Sequence, residues 1–367
     1  MLLYPVYALL FADAGLTTGQ ISSLFAIWSI VAFAFEVPSG ALADVWSRRG
    51  LYALGAVLTA LGYASWIIWP AYPGFALGFV LWGVGGAFAS GTLEALVYDE
   101  LEAGGHADDY ARLMGRAGTI AILAMLAATL LATPAYTVGG YRLVGIASVA
   151  TVTLGGLLAL RLPDFDGTRA NPDNRGEDGY LATLTDGLRE SVKGRRIAWA
   201  VAIAALVPGF TALDEYLPLL ARDKGAPTTL VPLVFGLTAL AMAAGSALAG
   251  RIPALGPRSL AAAVTGAAAL LTAGALIPSV VGMVAVSAAF GILQFAMILT
   301  ETRLQEEITG RARTTVLSVS GFASEVFAVG LYAFFALDAP LPLLFALCAV
   351  PLALTAAAIA RTAAPGR

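Results

Sequence analysis

The sequence predicts an all-α transmembrane protein: twelve helices in two six-helix bundles related by a parallel repeat, with a truncated first helix. Three observations carry this expectation. Of 367 residues, 59% are hydrophobic and only 12% charged, against about 25% charged in soluble domains. A soluble fold of this size has no core large enough for so much apolar side chain, so the surplus must face lipid. The apolar residues fall into segments of about 20, the length that crosses a hydrocarbon core as a helix. Short stretches of the first half then recur in the second at a nearly constant offset.

The segments are delimited by Gly, Pro and charge. The first, 1–14, ends at Asp13, and 18–43 ends before Asp44 and the pair Arg48 and Arg49. Segment 50–70 closes at Pro70, 74–98 follows Pro73, and 110–133 lies between the acidic EAGGHADDY and Pro134. Segment 141–161 follows Gly139 and Gly140 and ends at Arg161. In the second half 196–221 precedes Arg222, 229–250 precedes Arg251, and 258–278 ends at Pro278. The last three are 279–303, 313–335 and 340–361, bounded by Arg303, Arg313 and Arg361. None shows the alternation that a barrel strand requires, so each is expected to be helical.

Between the halves RLPDFDGTRANPDNRGEDGY is too polar to order itself. Leu181, Leu184 and Leu188 behind it share one helical face, which predicts a short amphipathic helix on the membrane surface. The expected organisation is thus an N-terminal bundle at 1–161, a cytoplasmic central loop at 162–195 and a C-terminal bundle at 196–367.

Basic residues set the orientation. With twelve crossings, eighteen of the 21 lysines and arginines fall on the side that carries both termini, and only Arg142, Arg222 and Lys224 on the other. The positive-inside rule then puts both termini in the cytoplasm of a protein of the inner membrane. Trp66, Trp69 and Tyr72 cluster at the outer edge, where amphipathic rings are expected to sit.

The repeat pairs ALAD (41–44) with ALAG (247–250), GTLEALVYDEL (91–101) with LTETRLQEEI (299–308), and ADAG (12–15) with RDKG (222–225). The offsets are 206, 207 and 210. Applied to the start of helix seven, they place the start of helix one upstream of Met1, which predicts further apolar residues encoded there.

Several chemistries are excluded by residue count. One cysteine, Cys348, allows no internal disulfide, and one histidine, His106, disfavours a zinc or haem site. Lys193 and Lys224 fit no phosphate-binding loop, so ATP is not the energy source. No cofactor, metal, enzymatic activity or nucleic-acid partner is expected. The partners are the lipid bilayer, a small-molecule substrate and protons as coupling ion, and the protein is expected to be a monomer.

GALADVWSRR (40–49) resembles the loop signature G-x-L-a-D-r-x-G-R-R of the major facilitator superfamily. Helix number, long central loop and parallel repeat are similar to that family over the whole chain, and SGTLEALVYDE resembles a helix-four ending of bacterial permeases. The resemblance implies a conformational latch of Gly40, Asp44, Arg48 and Arg49, closed in the outward-facing state. Gly40 would let helices two and eleven approach, and Asp44 would stand near a helix amino end and near Arg48 or Arg49. Val45 and Ser47 depart from the signature, and Gly250 occupies the second-half aspartate position, which implies a one-sided latch. Helix five lacks the glycine-proline pattern of drug antiporters. The implied activity is secondary transport by alternating access, with proton-coupled efflux of a drug-like or amphipathic compound first. Proton-coupled uptake, or a non-transporting receptor or assembly protein, are the alternatives.

Carboxylates inside a bilayer are costly unless sheltered or protonated, so each is a functional candidate. Glu325 lies about 18 Å along the helix from Arg313, near the membrane middle; Glu36 is about 12 Å inside Asp44; Asp214, with Glu215, is about 12 Å from Arg222. These four are proton or substrate candidates. Glu94, Asp99, Glu301 and Arg303, nearer the inner helix ends, are inner-gate candidates. Glu36, Glu94 and Glu325 continue stripes of small and polar residues, which predicts that they point into protein.

Overall fold

The structure, a computed structural model, describes residues 1–162, 195–252, 255–307, 313–337 and 339–361. Among these residues every regular element is helical and none is a strand. The amphipathic helix expected at Leu181, Leu184 and Leu188 lies outside the described residues. The chain divides into two compact units, Met1–Gly176 and Glu177–Arg367.

In the first unit, α1 spans Tyr7–Asp13 and α2 Thr18–Val45. Helix α2 begins on a capping box: Thr17 Oγ1 accepts from the Gln20 amide at 3.2 Å, and Gln20 Oε1 from the Thr17 amide at 3.0 Å. The next helix, α3 (Arg48–Ile68), starts at Ser47, whose Oγ accepts from the Gly50 amide at 2.9 Å. The serine that departs from the family signature is therefore an N-cap, a role its hydroxyl suits and a glycine fills without a side-chain bond.

Helices α4 (Tyr72–Ala89) and α5 (Thr92–Ala103) are one apolar stretch broken at Gly91, where φ is +66°. Helix α6 runs Tyr110–Ala159 but turns sharply at Gly139 and Gly140; the latter, at φ +57°, adopts a backbone that only glycine takes readily. Its two arms correspond to the expected segments 110–133 and 141–161.

The second unit holds α7 (Arg195–Gly209), a 3-10 stretch at Phe210–Tyr216 and α8 (Leu217–Asp223). Then follow α9 (Val231–Arg251), α10 (Pro257–Leu276), α11 (Gly282–Glu307) and α12 (Arg313–Phe335). The unit closes with α13 (Leu341–Leu347) and α14 (Ala349–Arg361).

Nine helices among the described residues are long and apolar enough to cross a membrane. That tally takes both arms of α6 as one, omits the short α1, and sets Val319–Phe335 apart as a shorter apolar helix.

Glycines set the packing distance in both units. A Cβ on Gly55 would lie 2.6 Å from the Gly85 carbonyl oxygen, and one on Gly62 2.7 Å from that of Gly78, so α3 and α4 touch backbone to backbone. In the second unit a Cβ on Gly245 would lie 2.0 Å from the Gly291 oxygen, locking α9 against α11. Close approach through small residues is how helices associate where lipid gives no hydrophobic drive.

Trp66 corrects the expected outer aromatic belt. It is fully buried, donates from Nε1 to the Phe75 carbonyl at 3.0 Å, and packs against Phe11 and Phe79 at 5.1 and 4.8 Å between ring centroids. An indole fits a helical core once its N–H has an acceptor. Trp69, 51% exposed, keeps the surface position, and Tyr72 bonds through its hydroxyl to Ser23 Oγ at 2.9 Å.

Candidate functional site

The facing ends of α2 and α3, on either side of the turn at Trp46 and Ser47, carry the first group of candidates. Arg48 pairs with Asp99 of α5, and Arg49 donates to the Leu162 carbonyl at 2.9 Å. The two arginines thus tie this turn to two neighbouring segments of the same unit. The side chain of Asp44 lies outside the described residues. Gly40 is exposed, and a Cβ there would meet open space. Packing within its own unit therefore does not require the missing side chain.

Asp99 was grouped with Glu94 as an inner gate, and the structure separates them. The break at Gly91 places Glu94 in the first turn of α5, where the amino-terminal dipole favours an anion. Its side chain is exposed, while Asp99 turns to Arg48.

The side chains of Glu36, Glu94 and Glu325 are all exposed, yet Glu325 faces other helices of its own unit across a pocket. Small residues beside an acid leave room around it as readily as they admit a helix, so at Glu36 and Glu94 the stripes mark open surface. Glu36 sits just before Pro38, and Ser39 Oγ donates to its carbonyl at 2.7 Å.

In the second unit, α7, α11 and α12 enclose a pocket of about 260 Å³. Glu301 and Gln305 reach it from α11, Ser320, Ser324 and Glu325 from α12. Ala204, Pro208 and Leu304 form its apolar walls. The sequence had assigned Glu325 and Glu301 to different roles, and the fold brings both to one cavity. Ser320 is only 6% exposed. Neither Ser320 nor Glu301 has a hydrogen-bond or ion-pair partner among the described residues. Arg303 does not pair with Glu301: it projects from another side of α11 and donates to the Leu255 carbonyl.

Asp214 and Glu215 occupy the 3-10 stretch that interrupts the helix after Pro208. Glu215 is buried, Asp214 half-buried, and both lie within Coulombic reach of the buried Tyr332 on α12, as does Glu325. Irregular backbone at membrane depth is tolerated only where protein or a water-filled cavity satisfies it. Tyr216 continues the group, stacked on Phe335 at 4.2 Å. Sequence reading missed Tyr332 as a partner of these acids and missed the break itself; the adjacent Pro208 and Gly209 were its signal.

Lys224, just beyond α8, is 8% exposed and donates from Nζ to the carbonyls of Ala275 and Ile277 at the end of α10. Burial lowers its pKa below the ordinary lysine value, an effect Asp223 opposes.

A family model described as Major Facilitator Superfamily matches residues 1–329. Comparison with curated proteins returns no match. Among solved structures, the nucleoside transporter NupG superposes with a TM-score of 0.75 at 14% identity, covering 99% of this chain and 95% of that one. The POT family transporter PepTSo gives 0.68 at 12% identity, covering 99% and 94%. A D-xylose-proton symporter gives 0.66 at 16% identity, covering 96% and 92%.

Proposed function

The chain belongs to the major facilitator superfamily, and on that premise we propose that it is a proton-coupled secondary transporter that exports a drug-like or amphipathic small molecule by alternating access. The observation that carries this reading is the polar pocket that brings Glu301 and Glu325 together inside membrane-spanning helices of one unit. Carboxylates on membrane-spanning helices that open onto a cavity are suited to exchange protons and contact substrate, because an acid at membrane depth is functional by default. Glu325 is the coupling carboxylate of this reading. Glu36, Asp214 and Glu215 are further proton or substrate contacts.

Gly40, Asp44, Arg48 and Arg49 act as the latch that holds one state, with Asp99 anchoring the arginine loop. The transporter works as a monomer in the inner membrane, both termini cytoplasmic, and catalyses no covalent step. Uptake is the second reading, supported by the likeness in fold to a protein titled a D-xylose-proton symporter.

The test is growth of a strain lacking the protein across a panel of toxic amphipathic compounds, followed by flux of any hit into inverted vesicles. Sensitivity to a compound, and its proton-driven entry into inverted vesicles, is the expected result. Accumulation only in right-side-out vesicles would replace export by uptake.

A further inference from the structure

We propose that the pocket between α7, α11 and α12 receives a protonated amine, so that the transported molecule is an organic cation with hydrogen-bond donors on its charged end. This rests on the transport reading above and adds the substrate class to it.

The pocket's polar atoms decide the sign. Two carboxylates, an amide and two hydroxyls converge on it, and no basic residue lines it among the described residues. An anion entering would meet both carboxylates, Glu301 and Glu325, and be repelled by like charge. A neutral polyol would leave Glu301 inside a membrane-spanning helix with no counter-charge. An ammonium group supplies both the charge and the N–H donors that Glu301, Ser320 and Gln305 can accept. Ser320 adds an independent indication: the residue is 6% exposed and lines the cavity with no hydrogen-bond partner among the described residues, so a ligand can satisfy its hydroxyl. The cavity, at about 260 Å³, is slightly smaller than the usual range of about 300–1,000 Å³ for whole ligands. It therefore fits the charged end of a molecule, with Ala204, Pro208 and Leu304 against the carbon next to nitrogen.

The full-length protein in detergent is titrated calorimetrically with 2-phenylethylammonium, with 3-phenylpropionate and with 2-phenylethanol, which share one aromatic body and differ at the head. Spermidine serves as a second ammonium probe. At least one ammonium is expected to bind ten times more tightly than the carboxylate and the alcohol. Glu301→Gln and Ser320→Ala should each weaken it, the former at least tenfold, while Glu102→Gln, exposed near the end of α5 in the other unit, leaves it unchanged. Equal or tighter binding of the carboxylate or alcohol, no saturable binding of either ammonium, or indifference to Glu301→Gln would overturn the assignment. Proteoliposome flux separates the two levels. Carriage of a neutral or anionic solute alone would retain the transporter and reject the cation site. Absence of any flux, with amine binding intact, would reject the transporter and retain the site.

Discussion

Arg48 donates to Asp99, joining the loop after α2 to α5 across 51 residues of sequence. Both side chains are partly exposed, at 25% and 47%, so the pair is worth only about 0.2–1 kcal/mol of stability. Its weight in function is a matter of position. Asp99→Asn is expected to lower the melting temperature by no more than a few degrees yet cut transport severalfold, because the arginine loop loses its anchor. Paired measurements of melting and flux on Arg48→Gln, Asp99→Asn and the double variant check this. A double variant no worse than either single one is the expected outcome.

Asp44, at the carboxyl end of α2 just before that loop, is the aspartate of the proposed latch. Asp44→Asn is expected to move the resting population toward the inward-open state. Cysteine-accessibility labelling from the two sides of the membrane reads that shift, and an unchanged pattern would retire the latch.

Ser47 provides a local test of the cap. Ser47→Ala removes the acceptor for the Gly50 amide and should cost about 1 kcal/mol, whereas Ser47→Gly should cost only a few tenths. Thermal unfolding in detergent distinguishes the two.

Gly245 and Gly40 predict opposite responses to one methyl group. At Gly245 the added Cβ would lie 2.0 Å from a backbone oxygen that has no room to move, so Gly245→Ala should separate α9 from α11 and lower folded yield sharply. At Gly40 the Cβ meets open space, and Gly40→Ala should be neutral or stabilising by up to about 1 kcal/mol. Folded yield by size-exclusion chromatography compares them, and loss of transport by a stable Gly40→Ala would place the need for glycine in the conformational cycle.

Lys224 gives a dependence on pH. Its folded pKa is lowered, chiefly by burial, so between that value and the ordinary 10.5 the unfolded chain binds more protons than the folded one. Stability from this site therefore rises as pH climbs through the lowered folded value and levels off above the unfolded one. Lys224→Met should flatten that rise, and it should cost about 1 kcal/mol near neutrality by leaving the Ala275 and Ile277 carbonyls without their donor. Unfolding curves recorded across the alkaline range check both effects.

Much of the fold was legible because lipid imposes simple rules. Pro70, Pro278 and the clustered arginines mark helix ends where the structure has them, whereas Pro134 lies inside α6, which turns instead at Gly139 and Gly140. Trp66 was misplaced because composition cannot tell a ring at the interface from one that has found a carbonyl inside. The break at Pro208 was passed over because its flanks are apolar enough to read as one span. The meeting of Glu301 with Glu325 was hidden for another reason: residues 24 apart come together only through the packing of α11, α12 and α7, which no periodicity within one helix encodes.

The most direct measurement is proton-coupled flux through the purified protein in sealed proteoliposomes, with and without Glu325→Gln. The account predicts that a pH gradient drives substrate against its concentration in the wild type, and that the variant, inserted to the same level, exchanges substrate down its gradient but no longer responds to pH. Equal pH-driven accumulation by both proteins would contradict it.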